Sequence, residues 1–286
     1  MTIAYVITRA DAVGGASIHV RDLARAMLER GHRVVVLVGG VGAVSDQLAD
    51  AGIPFQSLQF LRRPVQPLGD WRAVAELISV LRQMRPDLVS AHTAKAGFIA
   101  RAACARLGIP SIYTPHGWVI DDRISIAWGA VFSTAERLAS RWTRATICVC
   151  EYERQLAIRK RLGAEQKLFV VHNGVRDVGA GLRADTGRSA IRICSVARLD
   201  SPKDHSTLLR ALAELRSETW ELDLVGDGPL ESARRKQAAV LGIGKRVHFM
   251  GYQPNPAGTL ARAQIFVLAS RSEAFPRSIL EAMRAG

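Results

Sequence analysis

Ile3-Ala-Tyr-Val-Ile-Thr8, a stretch with helical spacing from Ser17 to Arg30, and Val34-Val-Val-Leu-Val38 follow one another at the start of the chain. A short β-branched run, a longer helical stretch and a second run make the pattern of parallel strands joined by helices. Outward from this unit the alternation continues. Strands are predicted at Pro54 to Leu58, Leu88 to Ala91, Ser111 to Thr114, Thr146 to Val149 and Leu168 to Val171, with helices over 70–84, 95–107, 128–142 and 151–162. The expectation is one open parallel sheet of about seven strands.

Asn173 to Ser189 then carries four glycines with neither period and reads as a hinge. Beyond it a second alternation begins, with strands at Ile191 to Val196, Glu221 to Val225, Val247 to Met250 and Ile265 to Leu268. Helices are expected over 206–215, 230–241, near 256–262 and over 277–285. The expected organisation is α/β: a first doubly wound domain over 1–172, the hinge over 173–189, and a second over 190–286. In such sheets ligands lie beyond the carboxyl ends of the strands, so the loops that follow strands are where chemistry is sought.

Composition bounds the class. The 286 residues suffice for two domains with sizeable cores, and 48% apolar with 23% charged residues is a globular balance without low-complexity tracts. Apolar runs such as Val34 to Val38 fall far short of the ~18–20 residues that span a bilayer. The N-terminus reads as a strand rather than a secretory signal, so a cytoplasmic location is expected. Cys104, Cys148, Cys150 and Cys194 form no C-x-x-C pair and read as buried thiols. The net charge of +13 favours anionic partners. Its spread, 24 Lys+Arg against 16 Asp+Glu up to Gly187 and 15 against 10 beyond, excludes a basic nucleic-acid arm, and no nucleic-acid-binding motif appears.

The loops carry the functional signal. Gly14-Gly15-Ala16 follows the first strand and opens a helix, where backbone amides and the positive helix end can face an anion; a plain turn is the alternative. Neither G-x-G-x-x-G nor a phosphate-loop motif occurs, which disfavours nicotinamide dehydrogenases and phosphate-loop NTPases. His116 follows the fifth strand with Gly117 behind it, and either faces a substrate or caps its own loop. Arg198 and Lys203 flank Leu-Asp-Ser-Pro after the first strand of the second half. A guanidinium fork plus an ammonium suits a diphosphate, against the alternative of two solvated cations.

The most informative stretch is Ser270-Arg-Ser-Glu273-Ala-Phe-Pro-Arg-Ser-Ile-Leu-Glu281. Glu273 lies in a loop and Glu281 about a turn into the next helix. The helix start offers amides to phosphate oxygens, and the two carboxylates accept hydrogen bonds from neutral hydroxyls. That combination implies a ligand with both phosphates and sugars.

These residues, together with Val171-His-Asn-Gly-Val175 and Leu224-Val-Gly-Asp-Gly-Pro-Leu230, resemble the retaining nucleotide-sugar glycosyltransferases of the GT-B fold, glycosyltransferase family four, along nearly the whole chain. The resemblance implies a donor held in a cleft, mostly by the second domain, and an acceptor on the first. It places Arg198 and Lys203 on the diphosphate, Glu273 on the transferred sugar, Glu281 on the ribose and His116 by the anomeric centre. Gly14, Gly15 and Ala16 would lend amides, and Asn173, Phe275, Arg277 and Ser278 would contact substrate. Retention by front-face substitution needs no protein nucleophile, and with no D-x-D in the chain neither a metal nor another cofactor is expected. Pro276 stands where the family often has glycine, removing one amide from the phosphate-facing turn.

His116-Gly-Trp118 and the stretch to Arg144, with Trp128, Phe132, Leu138, Trp142, Arg137 and Arg141, also resemble bacterial enzymes that extend polyprenyl-diphosphate-linked glycans. Such a helix either docks on an anionic membrane surface, at the inner face of the plasma membrane, or packs its aromatics in the core. Family members continue past the point matching Gly286 with a strand, a Gly-rich loop and closing helices. The second domain is therefore expected to be incomplete and the chain to have little transferase activity. A sugar-binding fragment without catalysis is the alternative reading; a sugar-nucleotide epimerase would need an acid and base set not recognisable here.

Overall fold

The computed structural model describes residues 1–119, 125–184, 187, 191–215 and 217–286, arranged as two compact units, Met1–Asn173 and Gly174–Gly286. Part of the expected hinge (185, 186, 188 and 189) and part of the Trp118 to Arg144 stretch (120–124) lie outside the described residues.

The first unit runs β1 (Thr2–Ile7), α1 (Gly15–Glu29), β2 (Arg33–Gly39), α2 (Ala43–Asp50), β3 (Phe55–Leu58), α3 (Pro67–Met84), β4 (Leu88–His92), α4 (Ala94–Leu107), β5 (Ser111–Thr114), α5 (Ile126–Trp142), β6 (Ala145–Cys148), α6 (Glu151–Arg159) and β7 (Leu168–Val170). Its seven strands are ordered β3-β2-β1-β4-β5-β6-β7, every pairing parallel. Along β1, Ile3, Tyr5 and Ile7 enter one core with Val20, Ala24 and Val34, Val36 and Val38 of β2, while Ala4 and Val6 enter another with Leu77, Leu81 and Ile99. Both faces are buried, which is why these strands read as continuous apolar runs.

The second unit contains β8 (Ile191–Val196), α7 (His205–Glu214), β9 (Trp220–Val225), α8 (Glu231–Val240), β10 (Val247–Gly251), α9 (Ala257–Leu260), β11 (Ile265–Phe266) and α10 (Arg277–Ala285). Its four parallel strands are ordered β10-β9-β8-β11. Leu208, Leu209, Leu212, Trp220, Leu222 and Leu224 form the main core, and Cys194, Leu260 and Ala285 a smaller one on the other face.

Three local differences from the sequence reading have physical causes. Helix α2 was not expected, because its eight residues supply only Val44 and Leu48 to the apolar face; Ser45 Oγ, which accepts from Gly42 N–H at 2.8 Å, fixes its start. Strand β11 has two residues rather than four, ending where Val267 N–H donates to Cys194 O. Trp118 belongs to the core rather than to an exposed face, its indole N–H donating to Glu153 O at 3.1 Å. Trp128, Val131 and Leu138 of α5 are exposed.

Candidate active site

In the first unit the strand order reverses between β1 and β4, which opens the crevice where doubly wound sheets bind ligands. Register places Ile7 beside His92 and His92 beside Thr114, so three strand ends meet at one carboxyl edge. Thr8 and Thr93 stitch the edge through their hydroxyls at 2.9 Å. Helix α1 starts from Gly14: Ser17 Oγ accepts from Gly14 N–H and donates to Gly14 O, both at 2.9 Å. Gly14, Gly15 and Ala16 therefore stand at the amino end of α1, on the crevice.

His116 stands after β5 in the left-handed region at φ 56°, followed by Gly117 at φ 109°. A non-glycine residue held there is strained, and such strain gathers at functional sites. The ring meets two histidines that the sequence reading did not single out. His116 Nε2 lies 2.9 Å from His92 Nδ1, with the rings stacked at 5.2 Å between centroids, and the His19 ring is 4.8 Å from His116 and 5.6 Å from His92. His92 Nε2 lies 2.9 Å from Ser90 Oγ. His92 is fully buried, and burial first, then the neighbouring His116 and His19, push its pKa well below the ordinary range. It is neutral at physiological pH.

In the second unit the order reverses between β8 and β11, and the loops after these strands carry the remaining candidates. Lys203 Nζ donates to Glu273 Oε1 at 2.5 Å across 70 residues of sequence, both side chains about a quarter exposed. Backbone and side chain hold the two loops in register: Arg271 N–H donates to Pro202 O at 2.9 Å, and Arg271 Nε donates to Asp204 Oδ2 at 3.0 Å. That hydrogen bond holds the Asp204 carboxyl below its usual range. Arg198 lies on the first of these loops, with Nε 3.4 Å from Asp200 and Nη1 3.8 Å from Asp227.

The Gly-Asp-Gly-Pro turn after β9 braces the Arg198 loop. Leu199 N–H donates to Asp227 O at 2.8 Å and Leu230 N–H to Leu199 O at 2.9 Å. A Cβ at Gly226 would stand 2.1 Å from Ala197 O, and one at Gly228 2.5 Å from Leu199 O, so only glycine fits either position. Pro276 caps the start of α10, with Phe275 just before it and Arg277, Ser278 and Glu281 in its first five residues, all half-buried. Arg277 Nη1 donates to Gly174 O at 2.8 Å. Asn173 closes the first unit, half-buried.

The structure thus brings Lys203 to Glu273, and the amino end of α1 to His116. It keeps Arg198 on its own acidic neighbours and Arg277 on a backbone carbonyl. His19 and His92 carried no signal that sets them apart in the sequence: one stands five residues into the helix after the first strand, the other at the last position of β4.

Residues 13–177, more than half the chain, match the model of Glycosyltransferase Family 4, and residues 186–286 match that of Glycosyl transferases group 1. The chain is 24% identical over 265 residues to the UDP-Gal:alpha-D-GlcNAc-diphosphoundecaprenol alpha-1,3-galactosyltransferase of Escherichia coli, covering 86% of this chain and 67% of that one. It is 23% identical to the O-antigen biosynthesis glycosyltransferase WbnH of Escherichia coli, covering 98% and 78%. Among solved structures, HepE of Anabaena in complex with UDP-glucose superposes with a TM-score of 0.80 at 22% identity, over all of this chain and 78% of that one. Two parallel doubly wound sheets, the smaller one second, are the GT-B architecture, and the chain belongs to glycosyltransferase family 4.

Proposed function

We propose that the chain transfers a hexose from a nucleotide-diphosphate sugar to a glycan or polyprenyl-diphosphate-linked glycan, with retention and without a metal, in bacterial cell-surface polysaccharide or glycolipid synthesis. The observation that carries this reading is the Lys203–Glu273 contact at the switch point of the second unit. It preplaces an ammonium for departing phosphate charge beside a carboxylate with an oxygen to spare for sugar hydroxyls. The undecaprenyl-linked substrate of the galactosyltransferase and the UDP-glucose of HepE support the same donor and acceptor classes.

The second unit holds the donor. Lys203 keeps two further N–H donors for the diphosphate while bonded to Glu273, and Arg198 turns to the same phosphates from pairs of 3.4 and 3.8 Å that cost little to break. Glu281, on the first turns of α10, holds the ribose hydroxyls. The first unit holds the acceptor near Gly14, Gly15 and Ala16, with His116 toward the sugar. The acceptor hydroxyl attacks the anomeric carbon on the face from which the nucleoside diphosphate departs: the new C–O bond forms as the C–O bond to phosphate breaks, and the hydroxyl proton passes to the leaving phosphate oxygen. Fixed positive charge and placement lower that barrier, so no protein nucleophile takes part.

The exposed Trp128, Val131 and Leu138 of α5, near exposed Arg141 and Arg144, suit peripheral docking on an anionic cytoplasmic leaflet. No described helix is long and apolar enough to cross a membrane. Radiolabelled UDP, GDP and ADP sugars with a polyprenyl-diphosphate-linked acceptor, followed by determination of the anomeric configuration, test the proposal. Whatever its rate, any transfer is expected to retain configuration. Inversion refutes the mechanism, and donor binding without transfer moves the reading to a sugar-binding protein.

A further inference from the structure

Three histidines of the first unit converge at the carboxyl edge of its sheet. His19 from α1, His92 from the end of β4 and His116 from the loop after β5 each offer one ring nitrogen, and these atoms all lie within 4.8 Å of one another. We propose that they form a three-imidazole site for a divalent transition-metal ion of the zinc type. Calorimetric binding of the ion does not depend on the transferase reading.

Four features carry the proposal. The donor set is all imidazole, which suits Zn²⁺, Ni²⁺ or Cu²⁺, whereas Mg²⁺ and Ca²⁺ seek oxygen. The spacing is near what coordination needs: nitrogens about 2.0–2.1 Å from a tetrahedral ion lie about 3.3 Å from one another. The 2.9 Å contact between His92 and His116 opens by about 0.4 Å, and the widest separation, at most 4.8 Å, closes by about 1.5 Å through side-chain rotation of half-buried His19 and His116. An outer partner is already in place, because the far nitrogen of His92 meets the Ser90 hydroxyl at 2.9 Å. Metal-binding imidazoles almost always have such a bond on the nitrogen turned away from the metal, and it fixes tautomer and ring orientation. Finally, two of the ligands stand at the ends of strands that pair with each other, β4 and β5, and the third lies on α1, whose Val20 and Ala24 pack into the core beneath β1 and β2.

In the metal-free state one shared proton lies between His92 and His116. Coordination moves that proton to an outer ring nitrogen, leaving both inner lone pairs on the ion. Three protein nitrogens leave a fourth position for water or another oxygen ligand. Because His116 is one of the three, an occupied site withholds it from any sugar.

The test uses the tag-free chain, because a polyhistidine tag would bind the same ion. Isothermal titration with Zn²⁺ should give one site per chain, and Mg²⁺ should give none. His19→Gln and His116→Asn should each weaken Zn²⁺ at least tenfold, and Ser90→Ala by about tenfold. Asparagine tolerates the left-handed backbone at residue 116, and melting temperatures report whether the variants fold. Co²⁺ added to the unaltered chain should give the intense visible absorption of a four-coordinate ion, a readout that survives failure of every variant. Absence of a one-to-one site, equal affinity in folded variants, or an octahedral Co²⁺ spectrum overturns the proposal. A separate arm rests on the proposed function: chelator-reversible inhibition of sugar transfer by Zn²⁺. If transfer is never found while Zn²⁺ binds as described, the metal site stands and the transferase reading falls.

Discussion

The two units repeat one architecture and place opposite chemistry on it. At the switch point of the first, a glycine helix start meets three imidazoles, one of them fully buried and neutral. At that of the second, Lys203, Glu273, Arg271 and Asp204 form an ionic lattice between two loops. Strand order decides where a ligand can sit, and the residues at the strand ends decide its charge. A crevice edged by an ammonium and carboxylates suits a diphosphate; one lined by imidazoles and helix-start amides, with the Arg9–Asp11 pair in the neighbouring loop, suits a hydroxyl-rich acceptor.

The largest expected effect concerns charge that the first unit buries away from its crevice. Arg101 and Glu136 meet at 2.7 Å, with Arg101 1% exposed and its guanidinium 3.9 Å from the centre of the Tyr113 ring. Glu136→Ala strands the guanidinium, which costs about 3–5 kcal/mol. The melting temperature of the first unit should fall by about 10 °C. Removing both charges with Arg101→Met and Glu136→Leu should recover most of the loss. Scanning calorimetry decides, and a drop no larger than that of a surface variant would show that the pair adds little.

How much of this contrast was legible in the sequence follows from how local each feature is. Burial on both faces turned the strands into apolar runs, so the alternation and nearly every strand could be read in order. Lys203 and Glu273 were findable because each follows a strand at a carboxyl edge and the surrounding motif is specific. His19 and His92 were not, because a lone histidine in a helix or at a strand end looks like any other. Only the register that sets Ile7 beside His92, and His92 beside Thr114, brings them to His116. The acidic partners of Arg198 escaped as well: Asp227 reaches it only through the fold of the Gly226 to Gly228 turn.

The second prediction sharpens the ionic side. Lys203→Ala should lower turnover by about 10²–10³, the loss of about 2.7–4 kcal/mol of transition-state stabilisation. The melting temperature should barely move, since a partly exposed pair is worth about 1 kcal/mol or less. Steady-state kinetics with the donor that the sugar panel selects, beside a thermal melt, separates the two. A variant that loses stability and keeps its turnover would make the contact structural and dissolve the contrast.

Acid should also reach the ionic unit. His205, at the first position of α7, is 4% exposed, and burial first, then Arg234 and Lys203 against Asp200 and Asp204, takes its pKa from 6.5 to about 4. The folded pKa lies below the unfolded one, so its contribution is fully present above pH about 6.5 and is lost as pH falls toward 4. The total is about 3 kcal/mol. Trp220 is the only tryptophan after Asn173, so in a chain whose other tryptophans are replaced by phenylalanine its emission during urea unfolding reports this unit. His205→Gln should flatten the acid limb between those pH values; an unchanged slope would assign the sensitivity to other groups.

The smallest effect probes the first crevice at its helix start. Ser17 is 5% exposed and closes the Gly14 turn in both directions, accepting from its amide and donating to its carbonyl, each at 2.9 Å. Ser17→Ala removes a cap worth about 1 kcal/mol, so the first unit should melt about 2–4 °C lower. The amides of Gly15 and Ala16 hold their place only as well as this turn does. Acceptor KM should therefore rise several-fold while donor KM, set by the second unit, stays put. Equal increases in both would mean that the turn serves donor and acceptor alike, and that the division of labour between the imidazole-lined and the ionic crevice is less sharp than their side chains suggest.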